Sequence, residues 1–130
     1  MLEIKFQKAD FVPFLQLFAN SLKCSIKNKT IQIPLGNGSG WMWAENLPSG
    51  ISVLAYDIKL NRELTIIREP NFDEFYSLQF EEIFIDKMNP NGSKSEISTK
   101  STVKISQSIK AEKNYLPANV RVKGFRFSFN

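Results

Sequence analysis

The chain has 130 residues, 42% of them hydrophobic, with a formal net charge of +4, one cysteine and no histidine. The absence of histidine excludes Ser-His-Asp and Cys-His nucleophilic sites, and also the histidine-based metal sites of zinc and non-haem iron. A single cysteine excludes a disulfide within the chain. Length and hydrophobic content predict one domain over residues 1–130. The chain has no apolar leader and no apolar run of about 18 residues, so we expect a protein of the reducing cytoplasm without membrane contacts.

Residues 10–23 are predicted to form one N-terminal helix. Asp10 is a suitable N-cap, and Pro13 lies in the first turn, where its missing N–H costs little. Apolar side chains recur at helical spacing along one face, namely at Phe11, Phe14, Leu15, Phe18 and Leu22. This stripe predicts packing against a core.

A glycine-rich stretch, PLGNGSGWMWAE, spans residues 34–45. A phosphate-binding glycine loop needs a helix directly after it, with the helix N-terminus facing the phosphate. Here the glycines lead into Trp41-Met42-Trp43, which favours a strand. The stretch therefore predicts a turn that begins a strand, and no phosphate site.

From residue 30 onward the hydrophobic pattern has a period of two, which is typical of strands. A polar loop is predicted at residues 86–96, DKMNPNGSKSE. In the strand that follows this loop, alternation places Val103, Ile105, Gln107 and Ile109 on one face. About seven short strands at regular spacing predict a sandwich or barrel over residues 30–129. The predicted strands are 30–34, 41–45, 50–58, 64–69, 75–85, 101–109 and 120–129.

The last predicted strand has apolar residues on both faces. Val120 and Val122 share one face, whereas Phe125, Phe127 and Phe129 fall on the other by counting. A strand changes faces only through an extra residue, so the pattern predicts a β-bulge at Gly124.

Charge is distributed unevenly along the chain. Residues 100–130 carry a net charge of +6, from seven basic residues and one acidic residue, whereas residues 1–99 carry −2. No aromatic stacking platform is interleaved with these cations, which favours solvated strand faces over nucleic-acid contact. The basic residues are Lys100, Lys104, Lys110, Lys113, Arg121, Lys123 and Arg126.

The carboxylates form no recognisable acid–base constellation. Adjacent strand residues point to opposite faces, so neither Glu81 with Glu82 nor Asp73 with Glu74 is expected to share a pocket. Other carboxylates lie on different predicted strands, and the sequence alone does not bring them together. These are Glu45, Asp57 and Glu69, while Asp86 begins the predicted polar loop after Glu81 and Glu82.

Four segments carry a resemblance to a known family: the G-x-G-aromatic pattern before the first hairpin, GISVLAYDIKLNREL, FYSLQFEEI and YLPANVRVKGFRFSF. In this order they resemble the N-terminal ligand-binding domain of AraC-type transcription regulators, especially those of Bacteroidetes-like bacteria. The resemblance covers nearly the whole chain. It implies a mainly β, cupin-like jelly-roll barrel with one N-terminal α-helix and a small effector bound in its interior.

The resemblance also implies that the chain is not an enzyme and carries no cofactor. Catalytic cupins hold a metal through His and Glu, and this sequence has no His. Whole regulators continue into a linker and two helix-turn-helix motifs, which are absent from this chain. DNA binding is therefore expected only through such a further domain, and the resemblance suggests a homodimer for the full-length protein.

We expect the effector pocket to be lined by inward-facing side chains on the predicted strands. Gln79 and Glu81 are expected on the opposite face, away from the ligand. The candidate ligand-binding residues are Trp43, Tyr56, Tyr76, Leu78 and Phe80.

Two alternatives remain open from the sequence. One is a metal-free cupin-like isomerase or hydratase that uses carboxylates and tyrosines such as Tyr56 and Tyr76. The other is a small lipid-binding barrel, suggested by the eleven Phe residues.

Overall fold

Nine strands and one helix are present in the computed structural model, which describes residues 2–7, 10–71, 75–108 and 110–129. The helix is α1 (Phe11–Leu22), and it lies between the first two strands in chain order. The strands are β1 (Leu2–Phe6), β2 (Thr30–Gln32), β3 (Gly38–Asn46), β4 (Ser52–Leu60), β5 (Leu64–Arg68), β6 (Tyr76–Met88), β7 (Lys94–Gln107), β8 (Glu112–Leu116) and β9 (Arg121–Phe129).

These strands form two sheets. One has three strands in the order β1-β5-β8, and the other has six in the order β2-β3-β4-β9-β6-β7. β1 pairs with β5 in parallel, and the other pairings are antiparallel. The predicted mainly β fold with one helix is confirmed. The sheets are not closed on each other and form an open, jelly-roll-like sandwich, within the sandwich-or-barrel architecture that was predicted.

Helix α1 begins and ends with the expected capping chemistry. The Asp10 carboxylate accepts a hydrogen bond from the Val12 N–H at 2.8 Å, which satisfies a backbone donor that the first turn leaves free. Lys23 adopts the left-handed conformation that ends the helix. The predicted apolar stripe is buried, so the helix prediction is confirmed.

The hydrophobic core lies between α1 and the two sheets. Leu15 and Phe18 of the helix, Ile31 of β2 and Leu64 of β5 are almost completely buried within it. One side of the core is formed by strands β3 and β4, whose buried side chains are Met42, Ala44, Leu54, Tyr56, Ile58 and Leu60. Alternation along β3 turns both tryptophans to the opposite, outer face of the sheet.

The glycine-rich stretch is a turn followed by a strand, as predicted. Residues 35–37 form the turn, and β3 begins at Gly38. Gly38 and Gly40 have φ angles of +138° and +107°, and a Cβ atom at either position would collide with a backbone carbonyl oxygen of β4. Glycine is required because the two strands approach closely here.

The predicted β-bulge at Gly124 is wrong. β9 runs in unbroken register with both neighbours, with Gly124 opposite Tyr56 on β4 and Glu81 on β6. The strand keeps its faces, so Arg126 and Ser128 follow Gly124 toward the interior. The register irregularity lies instead at Ile83/Phe84, where β6 pairs with β7.

Three further expectations need correction or fall outside the described residues. β1 and β8 were not predicted. The polar loop expected at 86–96 is shorter than predicted, because β6 continues to Met88 and β7 begins at Lys94, which leaves a turn between these two long strands. Ile109, predicted on the face of β7 with Val103, lies outside the described residues. Among the residues that are described, no helix has both the length and the apolar character to cross a membrane.

Candidate ligand-binding cavity

A small cavity of about 60 Å³ lies between the two sheets beside α1. Most of its wall is apolar, and it is formed by Phe6, Phe11, Phe14, Met42, Leu54, Ile58, Ile66 and Leu116. Polar groups are contributed by Tyr56, Gln79, Glu81, Asn114, Tyr115 and Arg126. An apolar concavity with a few placed hydrogen-bonding groups is the usual form of a small-molecule site.

Tyr56, Gln79 and Glu81 form a hydrogen-bonded triad at the cavity wall. The Tyr56 hydroxyl donates to Glu81 Oε2 at 2.6 Å, and Gln79 Nε2 donates to both the hydroxyl and Oε2 at 3.1 Å. Tyr56 is only 6% exposed. Burial, the Glu81 charge and the hydrogen bond to Glu81 raise the pKa of Tyr56 far above its ordinary value. The phenol is therefore a neutral hydrogen-bonding group at physiological pH.

The triad depends on the absence of a side chain at Gly124. Gly124 lies between Tyr56 and Glu81 in the sheet register. A Cβ atom there would approach the Tyr56 hydroxyl to 3.0 Å and would collide with the carbonyl oxygen of Phe80. Glycine at this position thus leaves room for the phenol to reach the carboxylate across β9.

A second polar cluster joins the two sheets next to the cavity. Arg126 of β9 donates from Nη2 to Glu112 Oε2 at 2.7 Å and to Ser77 Oγ at 3.2 Å. Arg68 of β5 lies 3.2 Å from the same carboxylate oxygen and also donates to the backbone carbonyls of Gln107 and Lys110. All three charged side chains, Arg68, Glu112 and Arg126, are more than nine-tenths buried.

Glu112 is held ionised by this arrangement. Burial opposes ionisation, but the Arg126 charge and hydrogen bonds from Asn114 and Ser106 outweigh it and set the pKa of Glu112 at about 2. Arg126 Nε has no hydrogen-bond partner among the described residues. The cluster therefore presents a buried guanidinium to the cavity with hydrogen-bonding capacity to spare.

Two phenyl rings separate the cavity from the outside. Phe6 and Phe14 stand edge to face with their ring centroids 5.1 Å apart. Both line the cavity, and both also line a surface groove of about 370 Å³ between β1 and α1. The two rings therefore lie between the cavity and this groove.

The structure divides the five predicted ligand-binding residues between two faces of the six-stranded sheet. Tyr56 lines the cavity as expected. The predicted inward orientation of the other four is wrong, because they lie on the outer face, these being Trp43, Tyr76, Leu78 and Phe80. The expectation that Gln79 and Glu81 point away from the interior is also wrong, since both line the cavity.

Sequence reasoning missed Gln79, Glu81 and Arg126 because it assigned the aromatic faces of β6 and β9 to the interior, and it missed Glu112 because β8 was not predicted. The sequence did contain an indication of a polar strand face: in the last strand, Arg126 and Ser128 alternate with phenylalanines. A polar residue at every second position shows that one face is polar, but alternation alone does not say which face is buried.

The other carboxylates are distributed over different strands. Alternation turns Glu81 toward the interior and Glu82 toward the outer face, although both border the outer groove beside Gly124. Glu45 pairs with Lys29 at 2.6 Å, and Asp57 pairs with Arg121 at 2.7 Å. Within the part of the chain that the structure describes, no group of three or more metal-ligating side chains is found. Asp73 and Glu74 lie outside the described residues.

Comparison with known proteins gives little that bears on function. No family model matches the chain, and no curated protein matches it. Among solved structures, it is similar to variants of oxalate decarboxylase from Bacillus subtilis. One has 13% sequence identity, a TM-score of 0.25, and coverage of 82% of this chain and 30% of that one. A second has 11% identity, a TM-score of 0.23 and the same coverage. The chain spans about 30% of the length of these proteins, and similarity this weak says nothing about its activity.

Proposed function

We propose that this chain is a small-molecule sensing module of the kind found at the N-terminus of AraC-type transcription regulators, with its effector bound between the two sheets. The observation that carries the proposal is the cavity itself, an apolar space beside α1 with polar groups from both sheets in its wall. The sequence resemblance described above supports the regulatory setting. DNA contact would belong to a separate helix-turn-helix domain.

The cavity wall indicates the chemistry of the ligand. Most of its lining is aliphatic or aromatic, so the body of the ligand is apolar. The Tyr56–Gln79–Glu81 triad and Arg126 offer donors and acceptors for one polar group. We therefore expect a small compound with an apolar body and a single hydroxyl, amide or carboxylate.

The size of the cavity limits what it accepts in this conformation. About 60 Å³ is well below the roughly 300–1,000 Å³ of sites for drug-sized ligands. Only a molecule of a few heavy atoms fits while Phe6 and Phe14 stay in place. A larger effector requires these two rings to move toward the surface groove, and that movement would couple ligand binding to the position of α1.

Binding is favoured over catalysis by the state of the groups in the cavity. Tyr56 has a strongly raised pKa, which makes it a poor general acid or base near neutral pH. The sequence contains no histidine to take that role. A fixed neutral phenol beside a carboxylate is suited to recognising a polar group by hydrogen bonds.

A thermal-shift screen tests the proposal. The panel consists of short-chain alcohols, phenols and aliphatic or aromatic carboxylic acids, applied to the wild type and to Phe6→Leu. We expect at least one compound to raise the melting temperature of the wild type, and larger compounds to stabilise Phe6→Leu more strongly. Leu17→Ala is the control, because Leu17 lines the outer groove but not the cavity. If no compound stabilises either protein while both remain folded by circular dichroism, the proposal is wrong.

A further inference from the structure

The outer face of the six-stranded sheet carries a continuous apolar surface, which we call the aromatic face. Its first row runs in register across five strands, through Trp43, Ala55, Phe125, Phe80 and Val103. A second row lies beside it, formed by Val53, Phe127, Leu78 and Ile105. Among these nine side chains none is charged or polar except for the indole N–H. The next row along the strands carries Asp57, Lys123 and Glu82 and forms a polar rim.

The aromatic face leaves several large apolar side chains open to solvent. Val103 is 65% exposed, Ile105 71% and Phe125 41%. Side chains of this size at these fractions each expose on the order of 100 Å². With Trp41 and Phe129 at its margins, the face offers at least roughly 500 Å² of apolar surface, at the upper end of what soluble monomers show. A standard interface buries about 800 Å² per partner, and the less exposed members of the two rows add to the area available.

We propose that a second copy of this chain covers the aromatic face, with the two six-stranded sheets packed face to face about a two-fold axis along β9. Such an axis reverses the order of strands across the interface, so β3 of one copy faces β7 of the other. Trp43 then lies opposite the partner's Val103, and Ala55 lies opposite the partner's Phe80. Large side chains meet small ones in both pairs, as packed sheets require.

The aromatic face is complementary to the same face of a second copy in both shape and charge. Ala55 lines a groove of about 420 Å³ together with Phe80, Val103 and Phe125, and this groove provides the space that the partner's Phe80 needs. A two-fold interface places identical charges near each other unless the face is neutral. The nine side chains of the two rows are uncharged, and the one charged residue in register with them, Glu45 of β3 beside Val53, is already paired with Lys29 at 2.6 Å.

Dimerisation through the aromatic face does not rest on the proposed sensing function, although Tyr56 and Glu81 border both the cavity and the outer groove. The cavity lies on the opposite side of the same sheet, and of the side chains in the two rows none lines it. Failure of one proposal would therefore leave the other standing.

Sedimentation velocity at micromolar concentrations tests the oligomeric state. We expect the wild type to sediment as a dimer and the double variant Val103→Lys, Ile105→Lys to sediment as a monomer. Both side chains are exposed, so the fold should survive, as circular dichroism would show. Leu35→Lys is the matched control, because Leu35 is 95% exposed in a turn away from this face. A monomeric wild type, or a double variant that stays dimeric, would overturn the proposal.

Cross-linking tests the position of the axis. In a Cys24→Ser background, Phe125→Cys places one thiol close to its counterpart across the axis, and a short bismaleimide should link the two chains. Lys113→Cys, exposed on the three-stranded sheet, should remain unlinked. Equal cross-linking of the two variants would contradict the geometry.

Discussion

The two halves of the six-stranded sheet differ in what they turn toward the interior. β3 and β4 bury apolar side chains such as Met42 and Leu54, whereas β9 and β6 bury Arg126, Ser77 and their polar neighbours. On that second half the aromatic rings point outward instead. The difference teaches that alternation identifies the two faces of a strand, while the partner layer decides which face is buried.

The two halves of the sheet are also stabilised by different interactions. The apolar half gains free energy from burial next to α1, at about 25 cal/mol per Å² of apolar area removed from water. The polar half must offset the desolvation of Arg68, Arg126 and Glu112 with hydrogen bonds and ion pairing. Such a cluster contributes little net free energy to folding, but removing any one of its members destabilises the fold strongly because a buried charge is left unpaired.

The largest expected effect comes from breaking the polar half at Glu112. Glu112→Gln leaves two buried guanidinium groups without a counter-charge, and we expect the free energy of unfolding to fall by about 3–5 kcal/mol. Urea denaturation measures this loss. Glu45→Gln is the control, since the Glu45–Lys29 pair lies at the surface and should cost less than about 1 kcal/mol. Equal effects of the two substitutions would show that the cluster is not strongly coupled.

The same cluster predicts a dependence of stability on pH. The pKa of Glu112 is about 2 in the folded chain, below its ordinary value of 4.5, so the ionised carboxylate favours the folded state. This contribution is complete above about pH 5 and is lost as the pH falls from there through about 2. It amounts to about 3 kcal/mol.

Denaturation at a series of pH values between 7 and 2 tests this dependence. The wild type should lose stability over that window more steeply than Glu112→Gln, which lacks the titrating group. Asp57→Asn is a useful second variant, because the hydrogen bonds from Arg121 also lower the pKa of Asp57. Identical pH profiles for the wild type and Glu112→Gln would contradict the prediction.

A smaller loss of stability is expected from substitution of Gly124, the β9 residue that lies between Tyr56 and Glu81 of the triad. Gly124→Ala introduces a Cβ against the Phe80 carbonyl and the Tyr56 hydroxyl, and overpacking of this kind costs about 1–3 kcal/mol. Gly36→Ala is the control, since a Cβ there meets nothing within 4 Å, and its effect should stay within about 0.5 kcal/mol. Thermal unfolding of both variants distinguishes the positions, and a neutral Gly124→Ala would mean that β9 can shift to make room.

Much of the fold could be predicted from local signals in the sequence. The cap at Asp10, the apolar stripe of α1 and the glycines before β3 all lead to the observed elements. β1 and β8 escaped prediction because each is held by pairing with β5, which lies in a distant part of the sequence. Their stability comes from tertiary pairing that no local pattern reveals.

The site was less accessible to sequence reasoning than the fold. Tyr56 was identified because it lies on the buried side of β4 between Leu54 and Ile58, which the sequence pattern assigned correctly. Gln79 and Arg126 were not, because the face of β6 and β9 that is buried is set by the cluster around Glu112, which joins β8 to β9 and β6. A buried ion pair between strands of two sheets leaves no periodic signal in either strand.

The central claim is that the ligand binds on the interior side of the six-stranded sheet, at the polar group around Tyr56, and not on the aromatic face. Calorimetric titration of the panel compound that most stabilises the wild type tests this directly, using Gln79→Leu and Trp43→Phe. We predict that Gln79→Leu weakens binding about tenfold or more, equivalent to about 1.4 kcal/mol, while Trp43→Phe keeps the wild-type affinity. Undiminished binding by Gln79→Leu together with a loss in Trp43→Phe would contradict the account and place the ligand on the outer face.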